Sequence, residues 1–188
     1  MTDYFVLLQQ PRQPWLEPEQ LKQKYQQLTL AAHPDRKNAN QSSVDFATVN
    51  EAYRVLTDPK LRLQHLLQLQ GTDPNADQSI PQELLDLFSR VGNFVQTTDP
   101  LLQRAGLAHN ALAKSLLRAE ILTSRKEAAE ILEKTRRLFN DAIKETRLLN
   151  ESWADKPDKI VQLFRRFAYL TRWIQQVEER QFQLSVSS

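Results

Sequence analysis

The chain has no cysteine and only three glycines in 188 residues. Without cysteine there is no disulfide, no thiolate metal site, no cysteine nucleophile and no cysteine-held iron–sulfur cluster. Gly71, Gly92 and Gly106 are too few and too far apart for a phosphate-binding loop or a dinucleotide fingerprint, which need closely spaced glycines for tight backbone turns. No apolar run approaches the roughly 20 residues that span a bilayer. Charge of one sign is also missing. The formal net charge is +2, and residues 1–71 carry 8 basic and 7 acidic side chains against 17 and 16 in the remainder. Neither part reads as a nucleic-acid arm or a polybasic membrane anchor. The first residues, Met1-Thr2-Asp3-Tyr4-Phe5, lack a basic then apolar leader, so the expected address is cytoplasmic.

What is present is helical pattern punctuated by proline. Proline suits the first turn of a helix, where its missing N–H costs nothing. Pro18, Pro59, Pro81, Pro100 and Pro157 each precede such a pattern, with Asp58 and Asp99 as candidate N-caps. The spacing predicts a short helix near Tyr4–Gln9 and a helix from about Pro18 to Ala32 with Leu21, Tyr25 and Leu28 on one face. A polar turn over 33–42 follows. Next comes a helix near Val44–Leu56, with Phe46, Val49, Ala52, Tyr53 and Leu56 inward. A fourth runs over Pro59–Leu69 and stops at Gly71, a natural residue just past a helix end.

Beyond a linker candidate at Thr72–Ser79, helices are expected over Pro81–Val95 and Pro100–Leu122. Ser124-Arg125-Lys126-Glu127 reads as a capping box opening a helix to about Trp153. The last helix, about Asp158–Leu184, carries Ile160, Leu163, Phe167, Leu170, Ile174 and Val177 at alternating spacings of three and four, the seam of an antiparallel bundle. Phe164, Tyr169 and Trp173 fall off that seam, and two readings stand: they widen the core face, or they form an exposed aromatic patch for a partner. No segment has a convincing period of two. His65 and His109 have no second ligand at helical spacing and read as structural or surface residues. No base–nucleophile pair or metal triad is visible, so the chain is not read as an enzyme.

One constellation carries chemistry. His33-Pro34-Asp35 sits in the polar turn between two amphipathic helices. Lys22 and Lys24 precede it and Lys37 follows. Then come Asn50-Glu51-Ala52-Tyr53-Arg54-Val55-Leu56 and Thr57-Asp58-Pro59-Lys60-Leu61-Arg62, with Asp3-Tyr4-Phe5-Val6-Leu7-Leu8 at the front. Together these residues resemble a J-domain, the module of co-chaperones that activate DnaK-type heat-shock chaperones. The resemblance covers about Asp3–Gly71.

The resemblance implies an antiparallel helix pair presenting the His-Pro-Asp loop to the chaperone, whose ATP hydrolysis it accelerates. Asp35 would make a charge-assisted contact to a chaperone arginine. Pro34 would stiffen the loop and His33 would hold it. Lys22, Lys24 and Lys37 would supply electrostatic complementarity, which mainly sets on-rate and orientation. The second helix is less basic than is usual in the family: Gln23, Gln26, Gln27 and Ala31 stand where lysine or arginine is common.

Tyr25-Gln26-Gln27-Leu28 and the run from Asp58 to Gly71 narrow the resemblance to the HscB family of iron–sulfur cluster assembly, as do Arg137-Leu138-Phe139-Asn140, Asn150-Glu151-Ser152-Trp153 and Phe167-Ala168-Tyr169-Leu170. The implied fold is all-α: a J-domain at 1–71, a linker at 72–80 and an antiparallel helical bundle at 81–188. The implied partners are a DnaK/HscA-type chaperone and an iron–sulfur scaffold protein, with no nucleic acid, membrane or cofactor. Scaffold or client binding would fall on Leu84, Leu85, Phe88 and Tyr169. Two rival readings are carried: a J-domain whose bundle tethers a different client, and a helical adaptor that no longer docks on a chaperone.

Overall fold

A computed structural model describes residues 1–31, 45–74 and 79–186. Seven α-helices lie among them: α1 (Tyr4–Leu7), α2 (Pro18–Ala31), α3 (Phe46–Thr57), α4 (Pro59–Leu69), α5 (Leu85–Leu107), α6 (Ala111–Leu148) and α7 (Pro157–Val186). A 3-10 turn at Gln82–Leu84 leads into α5. No strand occurs among the described residues, as the all-α reading expects.

The chain forms two compact units, Met1–Gln78 with Ala142–Phe164, and Ser79–Asp141 with Arg165–Ser188. In the first unit, Phe5, Leu8, Leu16, Leu21, Val49, Ala52, Leu56 and Leu66 make one buried cluster. Local chemistry sets the helix ends. Asp3 caps α1 by accepting from the Phe5 and Val6 N–H groups. Asp58 accepts from Leu61 N at 2.9 Å, and Pro59 follows it as the first residue of α4. At the other end, Gly71 takes a positive φ of 74°, its N–H reaches Gln68 O, and Thr72 N reaches Leu67 O. That pair of bonds is a Schellman stop, and its left-handed residue favours glycine. Phe46 departs from expectation. It is 44% exposed rather than inward, because the first residue of α3 lies beyond the partners that Val49, Ala52 and Leu56 share.

The second unit packs α5, α6 and α7 around Leu84, Leu87, Val91, Phe94, Ile131, Leu132, Leu170, Trp173 and Val177. Along the α7 seam Ile160, Leu163, Phe167, Leu170 and Val177 are buried as the spacing predicts, and Ile174 is half-buried against the same core as Leu170 and Val177. Phe164 and Trp173 are buried as well, so these two widen the core face and do not form an exposed patch.

Two expected helix starts are absent. Pro100 lies inside α5, not before a new helix. Proline costs a helix interior about 3 kcal/mol. Packing outweighs that cost here, since Val91 and Phe94 before it and Leu101 after it are all buried, Leu101 with Ile121 and Leu184. Asp99 is not a cap; its carboxylate takes two hydrogen bonds from Arg180, at 2.8 and 3.1 Å. Ser124–Glu127 likewise lies within α6, which is continuous over 38 residues. The break falls earlier, at 108–110, where the Asn110 side chain accepts from Ala113 N at 2.8 Å and starts α6. Among the described residues no helix is long and apolar enough to cross a membrane.

Candidate chaperone-docking site

The candidate site is the stretch of chain between α2 and α3. His33, Pro34, Asp35 and Lys37 fall outside the described residues. The helices that carry them are described. Leu21, Tyr25 and Leu28 of α2 meet Val49, Ala52 and Tyr53 of α3. Tyr25 and Tyr53 stack with ring centroids 4.1 Å apart and planes 17° from parallel. The Tyr25 hydroxyl donates to Asn50 Oδ1 at 2.8 Å. A stacked pair and a hydrogen bond at one level fix the register of the two helices, which hydrocarbon contact alone leaves looser.

Lysines two apart on a helix point in different directions. Lys22 is exposed on the same side as Gln23, Gln26, Gln27 and Leu30. Lys24 is half-buried and donates from Nζ to Gln9 Oε1 at 3.0 Å. The structure therefore leaves Lys22 on the open face and turns Lys24 toward the segment after α1.

Beneath the helix pair, α4 supplies two buried polar groups. Arg62 is 5% exposed; its Nε donates to Pro14 O at 2.7 Å and its guanidinium to Leu56 O at 2.6 Å. Burial pushes its pKa down to about 10, against the pull of the Asp58 carboxylate. His65 accepts from Tyr4 N at 3.1 Å through Nε2, so that nitrogen is unprotonated. Its ring stacks on Tyr4 and Phe5, with centroids 4.6 and 5.7 Å away. Burial lowers its pKa; the Asp3 carboxylate opposes this, and Arg12 adds to it. Asp3 is itself pushed up by burial, but the Val6 N–H, Arg12 and the Phe5 N–H together hold its carboxyl below the usual value.

A contact across 135 residues completes the unit. Trp15 N donates to Asn150 Oδ1 at 2.9 Å, and Asn150 Nδ2 donates back to Trp15 O at 3.0 Å. The Arg147 guanidinium sits 4.5 Å over the Trp15 ring, and Trp153 packs on the cluster of α1–α4. Arg62 and Asn150 thus hold neighbouring residues of one short segment, Pro14 and Trp15. No capping or periodic signal in 142–164 announces this contact. Asn150-Glu151-Ser152-Trp153 stood out only through resemblance, and no local pattern pairs it with Trp15.

The proposed client residues separate. Leu84 is fully buried in the core of the second unit. Leu85 and Phe88 are each 46% exposed, and Tyr169 is half-buried. Phe88 and Tyr169 flank Trp173, with ring centroids 6.3 and 5.5 Å from it, around a groove of about 250 Å³. His65 is structural and His109 is exposed in the turn before α6.

The DnaJ domain family matches residues 3–65, from the α1 cap through the buried His65. Those residues are a J-domain. HscB of Proteus mirabilis (strain HI4320), a co-chaperone, is 27% identical over 186 residues, or 96% of this chain and 98% of that protein. DnaJ of Methanosarcina thermophila is 38% identical over 63 residues, which is 34% of this chain and 16% of that protein. The solved HscB from Vibrio cholerae shares the fold, with a TM-score of 0.53 at 20% identity, covering 97% of this chain and 99% of that one. A J-domain followed by HscB-like helices over nearly the full length supports a J-protein co-chaperone that works with a DnaK-type partner. The first of these relatives is named a co-chaperone and the second a chaperone protein.

Proposed function

We propose that this chain docks on a DnaK/HscA-type chaperone through His33-Pro34-Asp35, stimulates its ATPase and delivers a client in iron–sulfur cluster assembly. The observation that carries the reading is the pairing of a J-domain at 3–65 with likeness to HscB across 96% of the chain. Asp35 makes the charge-assisted contact to a chaperone arginine, Pro34 stiffens the turn and His33 holds it. Lys22, Lys24 and Lys37 steer the encounter, with Lys22 on the open face of α2. The J-domain extends to about Gly71 and the bundle begins near Pro81. The protein acts in the cytoplasm.

Single-turnover ATP hydrolysis by the chaperone of the same organism tests this. Wild type accelerates hydrolysis, and Asp35→Asn or His33→Gln removes the acceleration. No acceleration by wild type with any DnaK-type chaperone of that organism sinks the reading.

A second reading has the bundle hold a client other than the cluster scaffold. Burial of Leu84 favours it, since the exposed apolar surface there reduces to Leu85, Phe88 and Tyr169. Pull-down with the scaffold protein separates the two: capture weakened by Phe88→Ala supports the first, and no capture supports the second.

A further inference from the structure

The second unit has another face. Around α7, at 100° per residue, Tyr169, Arg172, Trp173 and Gln176 line the aromatic groove, whereas Glu178, Gln181, Phe182 and Ser185 point about 180° away. These opposite residues form one wall of an open groove of about 1060 Å³ whose other wall is α6, from Leu122 to Ala129. Two large apolar side chains belong to it, Leu122 at 66% and Phe182 at 68% exposure. Both are strongly exposed for residues of their type.

The charge around the groove is unbalanced. Arg125 and Lys126 are exposed and pair with no acid among the described residues. The acid on the facing wall, Glu178, is already taken by Arg136 at 2.6 Å. The groove is therefore an apolar trough with two uncommitted cations along one rim. Each wall runs seven residue steps, about 10 Å at the helical rise, which is two turns of a docked helix. The trough has no convergent buried polar group to fix a small molecule. Two cations are too few to track a phosphate backbone. Concave apolar floor and cationic rim match the mode in which an amphipathic helix lays its apolar anchors into a groove.

We propose that α6 and α7 form a docking groove for an acidic amphipathic helical segment of a partner protein. Its leucine-like anchors lie against Leu122, Ala129 and Phe182, and its carboxylates meet Arg125 and Lys126. This face is distinct from the J-domain and from the Phe88–Tyr169 groove.

The probe is a dye-labelled 14-residue helical peptide of leucine and glutamate, with leucines spaced three and four apart, titrated by anisotropy against the full chain. Two counterparts replace leucine by serine or glutamate by lysine. The acidic amphipathic peptide binds, and both counterparts bind at least about tenfold more weakly. Phe182→Asp weakens binding about tenfold. The double change Arg125→Glu, Lys126→Glu shifts preference to the lysine peptide. All three positions are exposed, so circular dichroism stays unchanged, and chaperone stimulation is unaffected, which separates this result from the J-domain reading. Equal binding of the three peptides, no binding, or binding insensitive to these changes overturns the proposal. So does a concentration-dependent dimer lost in Phe182→Asp, or capture of the chain by phosphatidylserine vesicles through Phe182.

Discussion

In the first unit a guanidinium, an imidazole and a carboxamide occupy interior or half-buried positions, each answering a backbone group: Arg62 on Pro14 and Leu56, His65 on Tyr4, Asn150 on Trp15. The second unit buries hydrocarbon around two threonines, Thr98 and Thr135, and keeps its Arg180–Asp99 pair at the half-buried margin. Polar contacts of the first kind are directional and specify one arrangement. Hydrocarbon contacts of the second kind add free energy in proportion to area and volume and tolerate repacking. The unit that contains the short helices α2 and α3 uses the directional kind. The unit built from helices of 23 residues or more uses area.

The three tryptophans let the two units be read apart, since Trp15 and Trp153 belong to the first and Trp173 to the second. Phe94→Ala has the largest expected cost, about 4 kcal/mol, as a fully buried ring leaves a cavity. Urea unfolding followed by Trp173 moves to lower concentration. A cost near zero contradicts an area-held second unit.

Arg62→Ala leaves two buried carbonyls without donors, and about 3 kcal/mol of loss is expected in the Trp15 and Trp153 signal. Arg62→Met restores volume but no donor, so it recovers little; full recovery contradicts a polar role. Asn150→Ala removes the reciprocal pair with Trp15, an exchange of half-buried hydrogen bonds expected to cost about 1–2 kcal/mol. Asn150→Asp keeps the acceptor for Trp15 N and loses the donor, so it falls between. Equal stability of all three chains removes Asn150 from the account.

The smallest expected effect concerns pH. The folded pKa of His65 lies below its ordinary 6.5, so the unfolded chain takes up the proton first. Stability from this group is complete above pH 6.5 and declines as pH falls through the folded value. Asp3, lowered below 3.8, extends the decline further into acid. Titration of the first unit by Trp fluorescence shows a downward limb below pH 6.5 that is absent in His65→Gln. The same limb in both chains assigns it elsewhere.

Helix α4 was legible almost to the residue because its start, Asp58-Pro59, and its stop, Gly71, are local signals that the structure uses. The α7 seam was legible because its period is long and uninterrupted. Pro100 and Ser124–Glu127 misled for one reason: they are local signals too, and the continuous apolar face of α5 and α6 outweighs them. At the candidate site, His33-Pro34-Asp35 is a motif read directly from sequence; helical spacing turns Tyr25 and Tyr53 inward, and only the structure shows that they stack. Asn150 and Trp15 could not be paired from the sequence, since their contact closes a loop of more than 130 residues and leaves no periodic trace.

The most direct test is single-turnover ATP hydrolysis by the DnaK/HscA-type chaperone of the same organism, with wild-type chain and with Asp35→Asn. Wild type is expected to accelerate hydrolysis and Asp35→Asn is not, with both chains unfolding at the same urea concentration. Equal acceleration by the two chains, or none by either, contradicts that expectation.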